Sequence, residues 1–291
     1  MTTQFSNLHP SLTTGQTSRP AGCYGFRLTG LRGARGLLVD APLEWPALEL
    51  RHTPPDGQGP LFDLIGAERA QIVLRRGWVE LDRPTGVVTF HMAPTPPDRD
   101  LVHPYLAGAA AVAARWAGRE SFHAGAVVVG GGAWAVLGDK ENGKSTTLAW
   151  LALHGHPVLT DDLLVLDGDT ALAGPRCIDL RRESSERLGV GESLGVVGQR
   201  ERWRFALDGV APAVPLRGFV TLAWDETLAV EPLRGTERLL ALFPGRSVRL
   251  APSRPADLID LSSLPVWRLR RPRRWDVLPE AAARLLDALG G

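Results

Sequence analysis

The chain has 291 residues, 44% hydrophobic and 22% charged, enough to bury one large core or two smaller ones. Its 33 basic and 32 acidic residues leave a net charge of +1, which excludes a global electrostatic bias toward nucleic acid or acidic membranes. Two separated cysteines, Cys23 and Cys177, exclude a disulfide framework and a C-x-x-C metal site.

Residues 1–20 are polar, with no basic start leading into an apolar run, so the sequence predicts a flexible N-terminus and no signal peptide. From 21 to 100 come strand-like runs such as "YGFRLTG", "ALELRH", "WVELD" and "VVTFHM", separated by turn signals. This predicts a β-rich N-terminal section, closed by the proline-rich linker "APTPPDRD" at 93–100. Residues 101–291 then read as an α/β domain. Its first helix is the alanine-rich "PYLAGAAAVAARWAG" at 104–118.

The stretch "AGAVVVGGGAWAVLG" (124–138) places two apolar runs around three glycines, the pattern of a buried hairpin. It is too short to span a bilayer, and a soluble, cytoplasmic protein is expected. Its second run leads into "GDKENGKSTT", a G-x-x-x-x-G-K-S match with a strand before it and the helix "KSTTLAWLALHG" after it. Gly138 and Gly143 allow a tight loop, and Asp139, Lys140, Glu141 and Asn142 fill it. Lys144 is placed to reach nucleotide phosphates, Ser145 to ligate Mg²⁺, and Thr146 to help or to cap the helix. These residues predict a site for ATP with Mg²⁺. Whether GTP would serve instead is left open.

"PVLTDDLLVLDGD" then gives a strand, paired aspartates and a second strand. Asp161 and Asp162 are candidates for metal binding and for accepting a proton from an attacking hydroxyl. Successive strand residues face opposite ways, so both serve one site only if the strand breaks there. A plain polar turn is the alternative. His123 is either a packed or surface histidine or a partner for one of the aspartates. "RERWRF" (200–205) and "WRLRRPRRW" (267–275) interleave arginine with aromatics, a pattern that can bind single strands of nucleic acid. The alternation of the second reads instead as a solvated edge strand, or as docking for an acidic peptide, ended by Pro272. Nucleic acid is therefore not expected as a partner.

Taken together, "FHAGAVVV…AWAVLGDKENGKSTTLAWLALHGHPVLTDDLLVLDGD" resembles the catalytic domain of HPr kinase/phosphorylase and its relatives. The resemblance implies a phosphoenolpyruvate-carboxykinase-like P-loop fold. It implies Asp161 as catalytic base, Asp162 as its metal-linked neighbour beside Ser145, and His123 as the residue that positions them. "AGPRCIDLRRES" (173–184) resembles the "P-x-I-R-L" segment of stand-alone relatives such as lasso-peptide precursor kinases. That makes Arg176 and Arg181 candidates to contact phosphate or an acidic acceptor, against the alternative of surface pairs with Glu183 or Glu186. No "E-V-R-G" signature is present, so neither the reverse reaction nor the carrier HPr is implied. The resemblance thus implies an ATP- and Mg²⁺-dependent serine-type kinase acting on a peptide or small protein, with a homo-oligomer as an option because related kinases form oligomers. A nucleotide sensor and a partner-coupled ATPase are the alternatives.

Overall fold

The computed structural model describes residues 19–248 and 254–290, so the expectation for the first 18 residues lies outside it. The chain is mixed α/β. Among the described residues it forms three sheets.

The first sheet follows from period-two alternation. Leu48 and Leu50 in Ala47–Thr53, and Val88, Phe90 and Met92 in Val87–Met92, all turn to one buried face. These two strands pair in parallel at the centre of eight, in the order Val39–Asp40, Ala21–Cys23, Phe26–Thr29, Ala47–Thr53, Val87–Met92, Gly77–Asp82, Arg69–Leu74, Leu64–Ile65. Helix Leu106–Trp116 packs against this sheet through Ala109, Ala110, Ala113 and Ala114, whose small side chains let backbones come close. Met92, Leu101, Leu106 and Phe219 belong to one hydrophobic cluster, so the core runs on from the N-terminal sheet into the rest of the chain.

The second sheet carries the glycine-lysine loop. Its central member is the long strand Ala213–Trp224, which pairs in parallel with Gly132–Leu137 along one edge. On the other edge, residues 213–215 pair antiparallel with Thr170–Leu172, and residues 219–224 pair in parallel with Val266–Arg271. Every residue of Gly132–Leu137 is buried, as expected of a strand covered on both faces. Gly130 and Gly131 both have positive φ, 56° and 75°, the backbone that a two-residue hairpin turn requires. Strand Val158–Thr160 adds to the outer edge of Gly125–Val129.

Val266–Arg271 is not the edge strand that its alternation suggested. Ala229–Pro232 pairs antiparallel along its outer side, so it is an inner strand, with Leu269 and Arg271 buried. The third sheet sets Arg200–Ala206 between Cys177–Leu180 and Glu192–Val197. No helix among the described residues is long and apolar enough to cross a membrane.

Helix Lys144–Leu153 is clamped between layers. Leu148, Ala149 and Leu151 are fully buried in a cluster with Val136, Ile178, Leu180, Leu269 and the C-terminal helix residues Ala281, Ala282 and Leu285. Leu148 fills the space left by the absent side chain of Gly125, where a Cβ would fall 2.2 Å from Leu148 Cδ1. Leu148→Ala should therefore lower the free energy of unfolding by about 2–5 kcal/mol. A denaturant melt checks this, and a loss below about 1 kcal/mol would show that the helix is not fixed by this contact.

Candidate active site

Strand Gly132–Leu137 delivers the chain to a loop whose bends are made at Gly138, Glu141 and Gly143, with φ of 157°, 74° and 80°. Gly143 admits no side chain. Besides its positive φ, a Cβ there would lie 2.7 Å from Arg271 Nη2 and 3.2 Å from the Trp224 ring. Two bonds tie the loop to the central strand: Asn142 Nδ2 donates to Leu222 O at 3.0 Å, and Trp224 Nε1 donates to Glu141 O at 3.1 Å. Lys144 Nζ folds back over the loop and donates to the carbonyls of Gly138, at 2.5 Å, and Asp139, at 3.4 Å. Burial pushes the Lys144 ammonium below its ordinary value, opposed by Asp161, Asp162 and Asp139. The helix that starts at Lys144 has no side-chain cap, so its first-turn N–H groups stand without intrahelical partners.

The strand does break at the aspartate pair. Leu163 N–H donates to Asp161 O at 2.9 Å, and Asp162 between them has φ of 73°, the arrangement of a γ-turn. Thr160 holds the turn closed by donating from Oγ1 to Leu163 O at 2.7 Å. The reversal sends the two carboxylates to different partners in one cavity. Asp161 is buried and receives the Ser145 hydroxyl at 3.1 Å from each of its oxygens. Asp162 is half-exposed and lies 3.3 Å from His123 Nδ1, which also contacts the Asp162 carbonyl at 3.0 Å. Both acceptors are oxygens, so Nδ1 carries the proton. Burial, with the neighbouring Asp162 charge, pushes the Asp161 carboxyl up to about 7, against the pull of Ser145 and Lys144.

The Asp161 carboxylate therefore sits on the loop serine, and the Asp162 carboxylate lies beside the histidine.

The cavity has a volume of about 490 Å³, and Asp139, Lys140, Glu141, Gly143, Ser145 and Thr146 all line it. Asn142 serves the loop instead, as described. Arg181 lines the cavity and pairs with Glu141 at 2.8 Å. Arg176 does not reach it: its Nη2 donates to Leu207 O at 3.2 Å, because strand pairing of Cys177–Leu180 with Arg200–Ala206 sets that carbonyl beside it. Arg176 is thus removed from the set of phosphate or acceptor contacts.

Sequence reasoning missed the opposite wall, and chiefly Arg271. Trp267, Leu269 and Arg271 fall on one face of their strand, so the guanidinium ends an apolar row and enters the core beside Gly143. It is 4% exposed, stacks on Trp224 at 4.4 Å and donates to Thr147 Oγ1 at 3.2 Å. No carboxylate among the described residues pairs with it, and burial pushes it down to about 10. Trp275 closes the same wall by donating to Glu183 at 2.8 Å.

The far end holds a buried ionic cluster that sequence reasoning also missed. Asp179 receives Arg204 Nε at 2.8 Å and Arg202 Nη1 at 3.3 Å, and His103 Nε2 lies 3.6 Å away. Burial favours the neutral Asp179 acid, but His103, Arg204 and Arg202 outweigh it and hold the carboxyl below its ordinary value. His103, Cys177 and Asp179 lie close enough together to suggest metal ligands. The two arginines already on the Asp179 carboxylate supply the charge that a cation would.

No protein-family model matches this chain, and no curated protein matches it. Among solved structures, the Hpr(Ser) kinase/phosphatase from Coxiella burnetii is similar over 58% of this chain and 95% of its own, with 12% identity and a TM-score of 0.29. At that distance the chemistry has to be argued from this chain's own residues.

Two stability tests follow from the site. Asp162→Gly should be tolerated in a thermal melt, whereas Asp162→Val should cost about 1–3 kcal/mol, because a branched side chain resists positive φ. Equal melting of the two would show that no such backbone is held. Arg271→Met should raise the stability of the nucleotide-free protein by roughly 1 kcal/mol or more, since it removes an uncompensated buried charge. A destabilised variant would mean that Trp224 and Thr147 outweigh the cost of burial.

Proposed function

We propose that this chain is an ATP- and Mg²⁺-dependent kinase of the HPr-kinase-like group, transferring the γ-phosphoryl group to a serine-type hydroxyl on a peptide or small protein. The observation that carries the reading is the contact of Ser145 with both oxygens of Asp161 at the head of the phosphate loop, beside the His123–Asp162 pair.

The residues fit a polyphosphate. Lys144 Nζ is satisfied only by loop carbonyls, Arg271 is a buried cation without a carboxylate, and the helix start is uncapped. An anion placed there would meet fixed positive charge from three sides. They also fit Mg²⁺, since Ser145 Oγ and the Asp161 carboxylate are adjacent hard oxygen donors. When bound, the metal would draw charge from the phosphate oxygens.

The proton path belongs to Asp162. His123 donates through Nδ1, which orients the carboxylate in a half-exposed position facing the cavity. The acceptor hydroxyl would give its proton to Asp162 while its oxygen bonds the γ-phosphorus. The bond from that phosphorus to the bridging oxygen breaks, and ADP leaves. Arg181, held over the loop by Glu141, stands where negative charge would spread during transfer.

The test is transfer of label from γ-labelled ATP with Mg²⁺ to serine-containing peptides. The wild type should label a peptide, and Lys144→Ala should not. Asp162→Asn should transfer about 10²–10⁴-fold more slowly while binding ATP as before. Label released only as free phosphate, whatever peptide is offered, would replace the kinase reading with a hydrolase.

A further inference from the structure

A second cavity, of about 710 Å³, opens beside the first and shares Lys140, Arg181, Arg200 and Arg202 with it. Its apolar lining comes from Val73 and Leu74 of the N-terminal sheet with Pro104 and Tyr105. Its charge is one-sided. Arg75, Lys140, Arg181, Arg182, Arg200 and Arg202 line it against a single acid, Glu201. Glu141 answers Arg181, Glu201 answers Arg182 and Asp179 answers Arg202. That leaves Arg75, Lys140 and Arg200 without a carboxylate among the described residues, a local positive surplus in a chain whose charges otherwise nearly cancel.

At its heart Arg202 is answered by Asp179 at 3.3 Å, whereas Arg200 meets only backbone carbonyls among the described residues. Arg200 donates to the carbonyls of Asp179, at 2.9 Å, and Leu180, at 3.2 Å, with Arg202 beside it. Burial and the neighbouring Arg202 charge lower its affinity for its own proton, the mark of a cation short of anions. Arg75 reaches only the carbonyl of Gly198, at 3.4 Å, from the opposite rim. Carbonyl partners fix the direction of a guanidinium and leave its charge available.

We infer that this groove is the acceptor site, and that it takes an acidic peptide segment whose hydroxyl residue reaches Asp162 in the neighbouring cavity. The inference rests on the kinase reading for the hydroxyl's fate, but not for the binding itself. Cations interspersed with an apolar lining match carboxylates alternating with apolar side chains. Nucleic acid fits less well. Arg182 covers Trp203 at 5.1 Å, which occupies a face that a base would stack on.

The experiment is fluorescence anisotropy without nucleotide, using a fluorescein-labelled octapeptide that holds one serine and four glutamates. Its lysine counterpart and a single-stranded thymidine oligonucleotide are the controls. The acidic peptide should bind, weaken as salt rises, and lose affinity at least about tenfold in the double variant Arg75→Glu with Arg182→Glu. Arg75→Gln with Arg182→Gln should fall between, which separates charge from misfolding. ATP affinity should be unchanged in both, since neither residue touches the loop cavity. Equal binding of acidic and lysine peptides, tighter binding of the oligonucleotide, or full affinity in the reversed variant would each overturn the assignment. Phosphoryl transfer indifferent to peptide charge would do so too while leaving the kinase standing. Peptide binding without any transfer would do the opposite.

Discussion

The Ser145 hydroxyl, shared between both oxygens of the buried Asp161, joins two parts of the chain that are made by different physics. One is a helix start, set by glycines and by the apolar clamp around Leu148. The other is a γ-turn that ends a strand and forces Asp162 into positive φ. A carboxylate without that hydroxyl would be buried beside a second carboxylate with little to hold it. With it, the turn is fixed in place, Asp162 is released toward His123, and the loop faces the cavity at a defined distance from both. Loop, turn and histidine act as one unit because this contact makes their positions interdependent.

Around that unit, charge is partitioned rather than balanced. Arg204 is buried and fully answered by Asp179, Asp100 and two carbonyls, so it belongs to the scaffold. Arg271 has nearly the same burial and no carboxylate, and Arg200 has only carbonyls. The same residue type thus does two jobs, and the difference lies in what stands opposite. Cations left without a carboxylate cost stability in the protein on its own. That cost is offset when anions arrive.

Local signals made much of this legible. The glycine spacing, the strand before it and the helix after it identified the loop, and two glycines in succession identified the hairpin. The requirement that the strand break at Asp161 and Asp162 could be stated from alternation alone. What escaped was everything decided by pairing across the chain. Val266–Arg271 looked like an edge because nothing local announces that Ala229–Pro232 covers it. Arg176 looked like a site residue until its neighbour strand offered the Leu207 carbonyl. Arg271 was visible only as one arginine among several, although its phase with Trp267 and Leu269 already placed it on the buried face. That the two carboxylates meet different partners depends on a single backbone angle, which adjacent identical residues cannot reveal.

The central claim is that these cations are arranged for a nucleoside triphosphate with its metal. Calorimetric titration of ATP into the protein, with and without Mg²⁺, tests it most directly. The account predicts one site per chain, tighter with Mg²⁺, with the metal's contribution lost in Ser145→Ala. Absence of binding under both conditions, or binding indifferent to both Mg²⁺ and Ser145, would contradict it.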